Sequence, residues 1–178
     1  TFAAFAAHRG LDMIRQSIAY NNANVKIVGH SAGQTMGYTG PSHHTLEDIA
    51  ALRAIPRFCI FSPSDAVELR SIMWKMIETE GPVYLRLARA TVPVIHDENY
   101  QFTIAAVDLI HDGSDITLFS SGDLLHLVLE AGKQLESIGI STQVINIPCI
   151  KPLDAEELCE KVSHTQGGIT VEDHNIYG

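Results

Sequence analysis

Gly40-Pro41-Ser42-His43-His44-Thr45-Leu46-Glu47-Asp48-Ile49-Ala50-Ala51-Leu52-Arg53-Ala54-Ile55-Pro56 compresses a turn, two adjacent imidazoles and a short helix into one run. Gly40-Pro41 is a turn pair. Leu46 to Ala54 reads as a helix that stops at Ile55-Pro56, because a residue before proline is pushed out of helical geometry. Upstream, Val25-Lys26-Ile27-Val28 reads as a short strand; downstream, Phe58-Cys59-Ile60-Phe61 reads as a buried one. Strand, loop, helix and strand in this order predict an α/β fold with a mostly parallel sheet. Ligands of such sheets gather where loops leave the carboxyl ends of strands. The loop from Gly29 to Ser42 leaves one such end, so its polar residues are the first to weigh.

Working outward, residues from about Phe2 to Tyr20 carry Phe2, Phe5, Leu11, Ile14 and Ile18 at helical spacing. Ser62-Pro63-Ser64-Asp65 is a turn that caps a helix over Ala66 to Glu78, with Glu68 near a capping-box position. Val83 to Leu87 reads as a third strand. Val92 to Gln101 holds Pro93, mixed polarity and no clean period, and reads as a linker. A second α/β unit follows, with strands near Ala105 to Leu109, Ile116 to Phe119, Thr142 to Ile147 and Ile169 to Glu172. Its helices run from about Leu124 to Glu136 and from Ala155 to Val162. The expected organisation is therefore two consecutive α/β units with mostly parallel sheets, 1–92 and 103–178, joined by a linker over 93–102.

Composition narrows the partners. The 178 residues are 46% hydrophobic and 19% charged, which suits a globular chain with room for one or two small cores. A formal charge of -9 without a basic cluster argues against nucleic acid and anionic membranes. The longest apolar runs are far too short to span a bilayer. Three cysteines without metal-like spacing, and odd in number, predict neither a zinc site nor a disulfide framework. A reducing, cytoplasmic setting follows as the expectation.

Taken as residues alone, Phe2, Phe5 and His8 fall at i, i+3 and i+6 along one helical face. His43 and His44 are expected at a helix start, where backbone N–H groups favour anions and disfavour imidazolium. A neutral histidine there donates or accepts a proton near neutral pH; His44 is read as the cap. Arg89 stands at the exit of the third strand, suited to a phosphate or another planar oxyanion, whereas Arg86 lies within the strand and is read as structural. Glu172, Asp173 and His174 alternate faces, so they cannot converge on one ion without distortion.

The Gly40-to-Pro56 block resembles the signature of the pyrimidine-binding domain of transketolase-type thiamine diphosphate enzymes. Phe119-Ser120-Ser121-Gly122-Asp123, Ile150-Lys151-Pro152-Leu153-Asp154 and Thr170-Val171-Glu172-Asp173-His174 are similar to segments of the family's carboxyl-terminal domain. The resemblance implies that Phe2, Phe5 and His8 line the pocket for the cofactor's aminopyrimidine, with His8 standing where some members have an aromatic residue. It implies that His43 approaches the reacting carbons, that His30 contacts substrate, and that Arg89 grips substrate phosphate. The acidic residue that many members carry before the Gly-Pro turn is here Thr39, preceded by Tyr38, and this departure puts an ordinary ketose phosphate donor in doubt.

The implied reaction is transfer of a two-carbon ketol unit between sugar phosphates. The implied cofactors are thiamine diphosphate and Mg2+ or Ca2+, the ion and diphosphate being held by a partner diphosphate-binding domain or amino-terminal subunit. A homodimer or an α2β2 assembly is the matching expectation. The chain is read as the carboxyl-terminal part of a longer polypeptide whose last stretch is also missing, with the family's catalytic glutamate upstream of the aromatic helix. Alternatives are an enzyme like deoxyxylulose phosphate synthase, which shares the His-His pair, a 2-oxo acid dehydrogenase β-subunit, or a non-catalytic binding module of this fold.

Overall fold

The computed structural model describes residues 1–177; Gly178, the last residue of the expected second unit, lies outside them. Its strands are β1 (Lys26–Gly29), β2 (Cys59–Phe61), β3 (Val83–Arg86), β4 (Asp108–His111), β5 (Ile116–Ser120), β6 (Thr142–Asn146), β7 (Cys149–Lys151) and β8 (Gly168–Val171). Its α-helices are α1 (Leu11–Met13), α2 (Asp48–Arg53), α3 (Ala66–Glu78), α4 (Leu125–Ser137) and α5 (Ala155–Val162). They build two four-stranded sheets, ordered β1-β3-β2-β7 and β4-β6-β5-β8. Within the first, β1 and β2 both run parallel to β3, with Lys26 and Cys59 each opposite Val83. Within the second, β6 and β8 both run parallel to β5, and β4 lies antiparallel to β6.

Alternation along the strands explains the cores. Ile60 and Tyr84 face one way, against Ala7, Ile14, Leu52 and Phe58. Phe61, Val83 and Leu85 face the other way, against Ile72, Met76 and Phe102. Each fully buried aliphatic or phenyl side chain contributes about 1.5–3 kcal/mol, so the first sheet is held from both faces. In the second unit Leu118 and Val144 pack against Leu125 and Val128 of α4.

Three expectations need correction. The segment read as an α-helix from Phe2 is wound mostly in the wider π form, over Phe5–Arg9 and Ile14–Ala19, on either side of α1. Phe2 forms a parallel bridge with His30 just ahead of it; Ala3 N–H donates to the His30 carbonyl at 2.8 Å, and His30 N–H to the Thr1 carbonyl at 2.9 Å. Second, α2 begins at Asp48, so His43 and His44 stand in the turn ahead of it, beyond the first-turn reach of a helix dipole. Gly33 and Thr45 exchange backbone hydrogen bonds of 3.0 and 3.1 Å, which keeps Thr45 extended and postpones the helix. Third, β7 belongs to the first sheet, antiparallel to β2, so chain from beyond the expected linker completes the sheet of the first unit.

The 93–102 segment has neither helix nor strand, yet it is strapped along α3. Ile95 and His96 N–H donate to Asp65 Oδ2 at 2.7 and 2.8 Å, and Phe102 N–H donates to Ser71 Oγ at 2.7 Å. Among the described residues no helix is long and apolar enough to cross a membrane.

Candidate functional site

The loop that follows β1 opens with Ser31 at φ 57°, a left-handed conformation uncommon for a residue with a side chain. Gly33, Thr45 and Arg86 close its base: beside the Gly33–Thr45 pair, Arg86 Nη2 donates to the Thr45 carbonyl at 3.4 Å. Gly40 takes φ 69° and ψ -167°, a region essentially restricted to glycine, and so turns the chain into Pro41. That turn directs His43 back toward the start of the chain.

There the Phe2 ring meets His30 at 4.6 Å between centroids and His43 at 5.2 Å, nearly edge to face. Phe5 meets the His43 ring at 5.2 Å and Phe2 at 5.6 Å. Four of the sequence-derived site residues thus form one aromatic cluster at the carboxyl end of β1. Each imidazole has its Nδ1 beside a neighbouring hydroxyl, Ser31 Oγ at 3.0 Å from His30 and Ser42 Oγ at 2.9 Å from His43. Among the described residues neither Nε2 has a hydrogen-bond partner. Two oriented, free ring nitrogens beside two phenyl rings suit a flat heteroaromatic ring together with a polar group that exchanges a proton.

His8 lies elsewhere. It is exposed, and its Nε2 stands 3.6 Å from Glu47 Oε2. The wider π winding moves the position three residues beyond Phe5 off the face it would hold in an α-helix. Arg9 comes round instead, with its guanidinium carbon 4.7 Å above the Phe5 ring. His44 does not cap α2; its Nε2 is buried with no hydrogen-bond partner among the described residues.

Arg89, three residues beyond the end of β3, is exposed and leans on the other limb of the loop. Its N–H donates to Thr35 Oγ1 at 3.1 Å, Nη1 lies 3.3 Å from Met36 Sδ, and the guanidinium stands 5.9 Å from the Tyr38 ring centroid. Tyr38 is itself exposed, and Thr39 Oγ1 donates to the Met36 carbonyl at 2.8 Å. Arg89, just after β3, is therefore packed against the stretch of loop that carries Thr35, Met36 and Tyr38.

Beneath the site, Arg86 Nε donates to Asp48 Oδ2 at 2.9 Å, and Tyr84 donates to the same oxygen at 2.8 Å. Burial pushes the Tyr84 phenol well above its ordinary range, and the Asp48 carboxylate adds to the shift. Segment 173–175 of the second unit docks on this pair. Arg86 Nη2 donates to the Asp173 carbonyl at 2.8 Å, Gln34 N–H to Asp173 Oδ2 at 2.9 Å, and Asn175 N–H to the Leu46 carbonyl at 3.1 Å. The buried His174 side chain has Nε2 3.9 Å from Asp48 Oδ1. Asp173 is taken up by Gln34 and Arg86, whereas His174 Nδ1 lies 3.2 Å from the Asn175 carbonyl. Sequence reasoning passed over Ser31, Ser42 and Arg9; a serine adjoining each site histidine was the available signal.

Comparison with known proteins is specific. The family model for the transketolase pyrimidine binding domain matches residues 1–94, and that for the transketolase C-terminal domain matches residues 105–178. An apulose-4-phosphate transketolase subunit from Phocaeicola vulgatus is 34% identical over 177 residues, 99% of this chain and 57% of that protein. A 6-deoxy-6-sulfo-D-fructose transketolase subunit from Clostridium sp. (strain MSTE9) is 33% identical over 178 residues, 100% of this chain and 55% of that protein. Among solved structures, a split-gene transketolase in an inactive beta4 tetramer superposes with a TM-score of 0.91 at 38% identity, covering 99% of this chain and 57% of that one. The chain spans a little over half the length of the curated relatives it matches. Two family models in the order the fold requires, with relatives above 30% identity over nearly the whole chain, make it a member of the transketolase family.

Proposed function

We propose that this chain supplies the aminopyrimidine-facing half of a thiamine diphosphate-dependent transketolase, moving a two-carbon ketol unit between sugar phosphates. The observation that carries the reading is the cluster of Phe2, Phe5, His30 and His43, with both Nε2 atoms free. The cluster fits the group: two phenyl rings offer an apolar wall to a heteroaromatic ring, and the adjoining imidazoles offer polar atoms to what it carries. When bound, thiamine diphosphate supplies a nucleophilic carbon for the donor's carbonyl.

In this reading Phe2 and Phe5 orient the cofactor ring and exclude water from it. His43 donates or receives a proton at Nε2, while the Ser42 hydroxyl at Nδ1 holds the ring in one orientation. His30 hydrogen-bonds a sugar hydroxyl at Nε2, and Arg89 takes the substrate phosphate on its fork of donors. His8, paired with Glu47, keeps at most an outer place around the cofactor. A diphosphate-binding domain, on a separate subunit or in the same polypeptide, holds the diphosphate with Mg2+ or Ca2+. A homodimer or α2β2 assembly in the cytoplasm brings the two halves together.

Tyr38 and Thr39 point to a donor other than an ordinary ketose phosphate, a reading supported by relatives named for apulose 4-phosphate and a sulfonated fructose. The test is ketol transfer by the complete assembly from xylulose 5-phosphate to ribose 5-phosphate, with and without thiamine diphosphate and Mg2+. Cofactor-dependent turnover of any ketose donor supports the proposed activity. Cofactor binding without turnover of xylulose 5-phosphate directs the donor search to branched and sulfonated ketoses. Absence of cofactor binding by the complete assembly would overturn the reading.

A further inference from the structure

A second group of polar residues is buried where α3, the 93–102 strap and the second sheet meet. Glu68 of α3 is fully buried, and its Oε2 accepts from the Ser64 N–H at 2.6 Å and from Ser64 Oγ at 2.7 Å. Its Oε1 accepts from Asn146 Nδ2 at 2.8 Å and from the Tyr100 hydroxyl at 3.2 Å. That hydroxyl also reaches Asp108 Oδ2 at 2.5 Å, and with one hydrogen it cannot serve both carboxylates. The His96 side chain is 5% exposed. Its Nδ1 lies 2.9 Å from Asp65 Oδ2, while its Nε2 is buried and, among the described residues, without a hydrogen-bond partner, 3.7 Å from Glu68 Oε1.

We propose that Glu68, His96 and Asp108 bind one divalent transition-metal ion of the zinc type, which fastens α3, the strap and β4 to one another. One donor atom from each lies within 4.8 Å of the other two. A zinc ion with bonds of about 2.0–2.2 Å holds tetrahedral ligand atoms roughly 3.4 Å apart, so binding would draw the three side chains together. The ligand set, one imidazole and two carboxylates, is of the mixed kind such ions accept, and the Tyr100 hydroxyl marks the fourth position. Two further features are those of a metal-binding histidine. A carboxylate, Asp65, engages the ring nitrogen opposite the ligating one and so fixes the ring. And the remaining nitrogen is buried, unpartnered and turned toward the carboxylates.

Charge argues the same way. Asp65 Oδ2 and Glu68 Oε1 stand 2.9 and 3.7 Å from the two nitrogens of one imidazole, with Asp108 beside them. A buried pair of carboxylates is costly unless a cation compensates it. A groove of about 400 Å³, lined by Ile95, His96, Asp97, Tyr100 and Asp108 among others, opens beside two of the three ligands. The inference uses these residues alone and stands whichever reaction the chain serves.

The full-length polypeptide carrying this chain should be dialysed against Zn2+ in excess Mg2+, so that cation sites for a diphosphate are filled. About one Zn2+ per chain is expected to remain, and the thermal midpoint should rise relative to the EDTA-treated protein. Asp65→Asn, which keeps a capping side chain, should weaken Zn2+ binding about 10–100-fold, and His96→Gln should abolish it. Anomalous scattering at the zinc edge from wild-type crystals should give a peak between Glu68, His96 and Asp108; this readout does not depend on any variant folding. No retained Zn2+, a peak elsewhere, or undiminished binding by His96→Gln would each overturn the proposal.

Discussion

Arg86 and Arg89 stand three residues apart at the end of one strand, and between them the molecule changes character. Arg86 is 4% exposed, and its guanidinium is answered by Asp48 and by the carbonyls of Thr45 and Asp173. Arg89 is exposed and faces a thioether and a tyrosine ring, with no carboxylate partner among the described residues. His30 and His43 share the open character of Arg89, for among the described residues their Nε2 atoms are free. A buried charge must be paired, so its pairing speaks only of the fold. An exposed, oriented and unanswered group is what a ligand can use.

Removing the closed side should have the largest effect. Arg86→Met strands Asp48 in the interior and should lower the full-length protein's stability by about 3–5 kcal/mol in urea denaturation. Asp48→Asn in that background should restore part of the loss, because the uncompensated charge is gone. A loss below about 1 kcal/mol would mean the two arginines differ less than the geometry says. Breaking the open side should leave the fold alone. His43→Ala should lower turnover by at least about a hundredfold, with cofactor affinity and thermal midpoint near wild type. Equal losses of turnover and cofactor affinity would assign His43 to binding instead.

The contrast also sorts what was legible in the sequence. Helices Ala66–Glu78 and Ala155–Val162 were readable to the residue, because Asp65 and Asp154 cap them through the N–H groups of Glu68 and Glu157, three positions on. Phe2, Phe5, His30 and His43 were singled out through the resemblance that the Gly40-Pro41-Ser42-His43-His44 run carries, and the structure brings them together; their roles stay proposals. What escaped depends on distant pairing. The late start of α2 follows from Gly33 pairing with Thr45, the fourth strand of the first sheet from Lys151 pairing with Ile60, and the seating of the loop from Asp173 reaching Gln34. The displacement of His8 comes from a π winding that apolar spacing does not distinguish from an α-helix.

Gly33 joins the two regions, and its substitution should have an intermediate effect. It sits at φ +71°, and a Cβ there would fall 1.6 Å from Asp173 Oδ2. Gly33→Ala should cost about 1–2 kcal/mol from backbone strain alone, and it must also expel Asp173 from its bond to Gln34. Hydrogen exchange at Gln34 and Thr45 should quicken while amides of β5 and β6 stay protected. Unchanged exchange at Gln34 would show that Asp173 does not seat the loop.

The smallest effect on stability is expected from Arg89, and its effect on substrate affinity is the most discriminating. A charged hydrogen bond to a phosphate contributes about 1.5–3 kcal/mol, so Arg89→Ala should raise the Michaelis constant for a phosphorylated substrate roughly tenfold or more. Turnover should change little, since the contact is made equally before and during reaction. Arg89→Lys keeps the charge and loses the planar fork, so it should recover only part of the affinity. An acceptor without phosphate should not distinguish the three proteins. Full recovery by lysine would reduce the role to a point charge steering anions to the loop, and salt would then erase the difference between lysine and alanine. If all three proteins bind phosphorylated and plain substrates alike, Arg89 is merely exposed, and the open side shrinks to the aromatic cluster around His43.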